Sequence, residues 1–149
     1  MSKKILAVAS AGGHWQQLQR IRHAFDGDEV FFLTTLQGLP DDFDALPAAI
    51  IPDCSQSEPL AALRCFAAVY PIVRRERPDV VITTGALPGL IALAAGRLVG
   101  AKGVWIDSVA NAECMSTSGR LARYVAHLRL SQWEHVARES QVEYAGSIL

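Results

Sequence analysis

The chain is poor in cysteine and uses what it has in no recognisable pattern. Cys54, Cys65 and Cys114 are odd in number and form no C-x-x-C pair, which argues against a disulfide framework and against a structural zinc site. Reduced thiols of a cytoplasmic protein are the reading. Long apolar runs are missing as well. Lys3 and Lys4 precede a short apolar stretch, Ile5 to Ala9, that falls below the roughly 7–15 residues of a signal-peptide core. The later stretch Ala86 to Val99 is broken by Pro88, Gly89, Gly96 and Arg97 and does not reach the ~20 residues that cross a bilayer. A protein that is soluble, or rests on a membrane without crossing it, is expected. Low-complexity tracts, internal repeats and evident linkers are absent. So is a basic excess: 14 Lys and Arg meet 15 Asp and Glu, which disfavours a wholesale nucleic-acid binder.

Two nucleotide signatures are also missing. There is no G-x-G-x-x-G, and Thr34 and Thr35 end the second expected strand where a dinucleotide-binding domain places an acid for the ribose. There is no G-x-x-x-x-G-K-[ST] either. Nicotinamide and P-loop nucleotide chemistry are both argued against, and nothing in the sequence calls for a cofactor.

What is present is a core. The 149 residues are 50% hydrophobic and 19% charged, which fits one globular domain, residues 1–149, that buries roughly 68–70% of its unfolded surface without staples. Enzymes that close two such domains over a substrate need about twice the ~100–150 residues of one domain. Chemistry of that kind would be carried here by half. Charge is uneven along the chain: Met1 to Phe25 is basic through Lys3, Lys4, Arg20 and Arg22, Asp26 to Leu60 carries only acids, and the remainder is arginine-rich. Local contacts with anions or a membrane surface stay open.

Ile5–Ala9, Val30–Thr34, Asp79–Thr83 and Gly103–Ile106 read as buried strands, with weaker ones at Ala49–Ile51 and Leu130–Trp133. Helical spacing links Trp15, Leu18 and Phe25, then Leu60 to Val73, then Leu90 to Val99, and Ser118 is the expected cap of a helix to about Leu128. Strand and helix in alternation imply a Rossmann-like, doubly wound, mostly parallel α/β sheet. Ligands of such sheets sit outside the carboxyl ends of the strands, so the chemistry is sought in three loops.

The first loop, Ser10-Ala11-Gly12-Gly13-His14, turns a strand into a helix. Its glycines let a ligand approach the backbone, and free amides at a helix start favour a phosphate or diphosphate. His14 is either a general base or a residue that merely caps the turn. The second loop, Thr84 to Gly89, repeats the arrangement with Thr84, Gly85, Pro88 and Gly89; it is either ordinary turn chemistry or the other wall of a composite anion cleft. The third begins with Asp107 and Ser108, continues through Asn111, and reaches Ser116, Ser118, Gly119 and Arg120. A carboxylate at a strand end is costly to desolvate, so Asp107 is expected to be partnered or functional. Ser116 to Arg120 is either a cleft wall or a solvated helix cap.

The SAGGH turn, DVVITTGALPG, WIDS, STSGR, SQW and the closing Tyr144-Ala145-Gly146 occur in an order that resembles the acceptor-side, anchoring subunit of two-component glycosyltransferases. These enzymes make dolichol-linked oligosaccharides and bacterial capsular or exopolysaccharide units. The resemblance spans about Ile5 to Ile148. It implies the N-terminal half of a GT-B glycosyltransferase, a separate donor-binding subunit as partner, and a lipid-diphosphate-linked sugar as acceptor. Transfer would be inverting and would need no metal. On matching positions, Ser10, Gly12, Gly13, Thr84, Gly85, Pro88 and Gly89 would line the diphosphate cleft, and His14 or Asp107 would be the base. Ser108, Asn111, Ser116, Ser118, Gly119 and Arg120 would lie at the interdomain cleft. Asp107 stands where glutamate is usual and Asn111 where arginine is common. Eukaryotic members carry an N-terminal membrane helix and this sequence begins without one, so attachment at the inner face of the cytoplasmic membrane is expected from the partner or a surface patch. Leu60, Leu63, Phe66 and Tyr70 with Arg64, Arg74, Arg75 and Arg77 form one candidate patch, or else the apolar stripe simply packs on the sheet. Two other functions stand beside this one: a self-sufficient phosphosugar enzyme using His14 and Asp107, and a non-catalytic scaffold that recruits a glycosyltransferase to the membrane.

Overall fold

Seven strands pair in the order β3-β2-β1-β4-β5-β6-β7, every pair parallel, in the computed structural model, which describes residues 1–148. They are β1 (Lys4–Ala9), β2 (Glu29–Thr34), β3 (Ala48–Ile50), β4 (Val80–Gly85), β5 (Lys102–Ile106), β6 (Leu128–Ser131) and β7 (Glu143–Tyr144). The alternation of β1 explains why its sequence is apolar throughout. Leu6 and Val8 enter one core, with Val69, Val81, Leu93 and Trp105, while Ile5, Ala7 and Ala9 enter another, with Trp15, Leu18 and Phe32. The helices α1 (Gly13–Arg20) and α2 (Leu39–Asp42) cover the second core. The others, α3 (Pro59–Glu76), α4 (Leu87–Leu98), α5 (Thr117–Leu121) and α6 (Glu134–Ser140), cover the first.

Chain order reverses direction between β1 and β4, which places the switch point of the sheet there. Helix α4 sits close against β4 because two of its residues have no side chain. A Cβ at Gly89 would collide with the Thr83 side chain, and one at Gly96 would come within 2.6 Å of Val81 Cγ2. That close seating brings the amino end of α4 beside the amino end of α1.

Several expected elements differ. The helix drawn from Trp15 to Phe25 ends at Arg20 and tightens into a 3-10 turn, Arg22–Phe25. Arg22 is pulled aside there, donating to Gln19 Oε1 and to the carbonyls of Phe43 and Asp44. The cap after β5 is Ser116, whose Oγ accepts from Gly119 N, and the helix it starts is five residues long, continuing as a 3-10 turn over Ala122–Tyr124. Strand β6 begins two residues earlier than expected, releasing Gln132 and Trp133 into a loop.

The candidate surface patch on α3 separates into parts. Cys65, Val69 and Val73 are buried on the sheet, and Phe66 stacks on Tyr70 with ring centroids 5.5 Å apart, both half-buried. Leu60, Leu63 and Arg64 are exposed near the carboxyl ends of the strands, whereas Arg74, Arg75 and Arg77 lie at the opposite end of an 18-residue helix. Arg75 is engaged there with Glu76 and the Phe31 ring. Among the described residues no helix is long and apolar enough to cross a membrane.

Candidate functional site

A cleft of about 220 Å³ opens at the carboxyl ends of β4 and β5, lined by His14, Thr84, Ala86, Trp105, Asp107, Ser108, Ala110, Asn111, Ser116 and Ser118. All three loops read from the sequence contribute to it. The fold brings them together because the switch point and the next strand place their carboxyl ends side by side.

His14 begins α1 and is tied to β4 twice. Its Nδ1 lies 2.9 Å from the Thr84 carbonyl oxygen, and Thr84 Oγ1 donates to the His14 carbonyl at 2.6 Å. A carbonyl only accepts, so the hydrogen of the neutral ring resides on Nδ1 and the lone pair on Nε2. Among the described residues no group hydrogen-bonds Nε2. Gly85 makes this possible: its φ is +115°, and a Cβ there would come within 2.7 Å of His14 Nδ1.

Two helix starts flank the histidine. Helix α1 begins at Gly12, with φ +88° and no side-chain cap, and the space where a Cβ would stand at Gly12 or Gly13 is open. Helix α4 also lacks a side-chain cap. At α1 the uncapped start presents unpaired amides and a partial positive charge; at α4 Pro88 has no N–H, and the Ala86 and Gly89 amides donate to Ser10 Oγ and to the Ala86 carbonyl. Ser10 is not one of the groups free for a ligand. Its amide donates to the Gly85 carbonyl and its Oγ accepts from Ala86 N at 3.3 Å, so it ties the first loop to the second. Pro88 and Gly89 are buried beneath the second loop and shape it from below.

Asp107 is 1% exposed, and four donors surround its carboxylate. Oδ1 accepts from Trp105 Nε1 at 3.0 Å and Ser116 Oγ at 2.6 Å; Oδ2 accepts from Asn111 Nδ2 at 3.1 Å and Ser116 N at 3.0 Å. A carboxylate offers about four lone-pair directions, and all are taken. The group therefore orders the third loop. Gly119 must lack a side chain beside it, since a Cβ there would come within 2.6 Å of Asp107 Oδ1. Ser118 accepts from Gln56 Nε2 across the rim, and Arg120 folds back onto the Met115 carbonyl.

Gln17 and Gln132, to which the sequence assigned no role in the site, join the loops. Gln17 Oε1 accepts from Gln132 Nε2 at 2.6 Å and from Val109 N, while its Nε2 donates to Ser108 Oγ. Gln132 also donates to the Asp107 carbonyl and accepts from Ile148 N. Both are buried. Their one signal is polarity at positions that the fold encloses, which spacing along α1 and β6 does not reveal. Among the described residues no group of three His, Cys, Asp or Glu side chains is placed to hold a metal ion.

No family model and no curated protein matches the chain. Solved structures do. MurG of Acinetobacter baumannii is similar with a TM-score of 0.73 and 17% identity, over 87% of this chain and 41% of that one. A UDP-GlcNAc 2-epimerase from Neisseria meningitidis, bound to UDP-GlcNAc, is similar with a TM-score of 0.72 and 13% identity, over 93% and 43%. The lipopolysaccharide outer core galactosyltransferase WaaB is similar with a TM-score of 0.65 and 13% identity, over 95% and 44%. The chain spans less than half the length of each. At these identities the likeness is one of fold: a single α/β domain with a seven-stranded parallel sheet, matching half of a GT-B, Rossmann-like architecture.

Proposed function

We propose that this chain is the acceptor-binding, partner-activating component of a two-component inverting glycosyltransferase. A separate donor-binding subunit supplies the nucleotide sugar, and the acceptor is a sugar linked to a lipid diphosphate in polysaccharide biosynthesis. The observation that carries the reading is His14, whose Nδ1 hydrogen is committed to the Thr84 carbonyl so that Nε2 is left as a base beside the uncapped start of α1. Both halves of the reaction need that pairing: a group to take the proton from the acceptor hydroxyl, and amides to hold the diphosphate.

Within this reading His14 is the base, Gly12 and Gly13 leave room for the diphosphate, and Gly85 makes room for the His14 ring. Asp107 and Ser10 are positioning residues. The fold shared with glycosyltransferases supports the sugar-transfer part of this reading. The exposed Leu60 and Leu63, near the carboxyl ends of the strands, support contact with the membrane that holds the acceptor. The working location is then the inner face of the cytoplasmic membrane.

The test is acceptor binding by the isolated chain. Titration of the ¹⁵N-labelled protein with a short-chain prenyl-diphosphate sugar should shift the amides of Gly12, Gly13, His14 and Gly85 saturably. Shifts confined to other faces of the sheet would refute the assignment.

A further inference from the structure

A second polar cavity lies at the other end of the sheet. The turns that lead into β6 and β7 enclose about 280 Å³, lined in part by Arg123, His127, Arg129, Gln141 and Glu143. It shares no lining residue with the cleft.

The side chains there are set as donors. Arg129 is half-buried and donates through Nη1 to the Gly119 carbonyl at 3.2 Å, which leaves most of its N–H groups uncommitted. Burial, and then the like charge of Arg123, hold its guanidinium below the usual arginine range. Arg123 lies over the ring of Tyr124, 5.6 Å from its centroid. Among the described residues no carboxylate comes within ion-pair distance of either arginine; Glu143, at the rim, is the acid among the lining residues. His127 adds a neutral donor. Its Nδ1 accepts from Gly103 N at 3.0 Å, so its ring hydrogen resides on Nε2.

Two guanidinium groups line one cavity, Arg129 half-buried and Arg123 exposed, and neither is ion-paired, so an anion that joins them gains charge-assisted hydrogen bonds. Their flat forks, with an imidazole N–H beside them, match the several acceptor oxygens of a phosphoryl group. We propose that this cavity is a binding site for a phosphoryl anion, distinct from the cleft that holds His14. The site has a mechanical link to that cleft. Arg129 holds the Gly119 carbonyl, and Gly119 lies directly beneath the Asp107 carboxylate.

The proposal does not depend on the glycosyltransferase reading, and its test is separate. The full chain, ¹⁵N-labelled, is titrated with inorganic phosphate against a sodium chloride control of matched ionic strength. In parallel it is sedimented with vesicles of phosphatidylcholine alone or containing phosphatidylglycerol. Saturable phosphate shifts at Arg123, His127, Arg129 and Gly119, weakened about tenfold or more in Arg123→Gln, would establish a site for a soluble phosphoryl group. Sedimentation only with phosphatidylglycerol, lost in Arg123→Gln, would establish the same site with a lipid headgroup as its occupant. Arg123 is exposed, so this variant should fold even if Arg129→Gln does not. Absence of both responses, shifts equal to those from sodium chloride, or responses unchanged in Arg123→Gln would overturn the proposal.

Discussion

His14 and Thr84 hold each other by two reciprocal hydrogen bonds across the switch point of the sheet, ring to carbonyl and hydroxyl to carbonyl. The pair fixes the tautomer of a histidine at a helix start and leaves its Nε2 open for the proposed role as base. Removing the ring while keeping a donor isolates its role. His14→Gln should preserve the folded spectrum and lower sugar transfer by the reconstituted enzyme about 10²–10⁴-fold, the usual contribution of a general base. Transfer kinetics and circular dichroism on the same preparation check this.

Gly85 is the hinge of that arrangement. Gly85→Ala places a methyl within contact of the His14 ring and forces a non-glycine residue to φ +115°. The expected cost is about 1–3 kcal/mol in stability from the backbone alone, with a further loss of transfer because the ring must move. Thermal unfolding and transfer rates measure the two effects separately.

Asp107 should behave as an organiser and not as a base. In Asp107→Asn an amide nitrogen meets donors that the carboxylate used to accept from, and a buried mismatch of this kind costs about 1–3 kcal/mol. The melting temperature should fall by several degrees. The acidic limb of the pH–rate profile should survive in Asp107→Asn and vanish in His14→Gln. The opposite pattern would exchange the two roles.

The thiols give a pH dependence of known sign. Burial pushes the Cys65 thiol up to about 12 from an ordinary value of 9.0, and burial raises Cys54 as well. The folded chain then keeps protons that the unfolded chain releases. Their contribution to stability is complete below pH 9 and is lost as pH rises from about 9 towards 12, at no more than about 1.4 kcal/mol per pH unit for each thiol. Denaturant titrations across that range should show the decline, and Cys65→Ala should flatten it. Alkylation at pH 8 should modify the exposed Cys114 first and Cys65 last.

The sheet was legible where burial is two-sided. Ile5 to Ala9 and Asp79 to Thr83 have no polar alternation to confuse, and they form β1 and most of β4. The candidate site was legible where the backbone demands a glycine, as at Gly12 and Gly85. Elements stabilised by tertiary contact were not. Helices α2 and α6 are four and seven residues long, too short for a period to emerge, and β7 has two residues. The split of the α3 patch is a matter of distance: one helix face carries both Leu60 and Arg74, but the sheet puts them at opposite ends. Gln17 and Gln132 lie 115 positions apart, and no local pattern announces a contact made only by folding.

The central claim, that this chain completes a glycosyltransferase it does not contain, is tested most directly by reconstitution. Transfer of labelled sugar from a nucleotide donor to a lipid-diphosphate acceptor is measured with this chain alone, with a donor-binding subunit alone, and with the two mixed. The account predicts negligible transfer in the first two and turnover in the third, lowered about 10²–10⁴-fold by His14→Gln. Robust turnover by this chain alone, or a complex indifferent to His14→Gln, would contradict it.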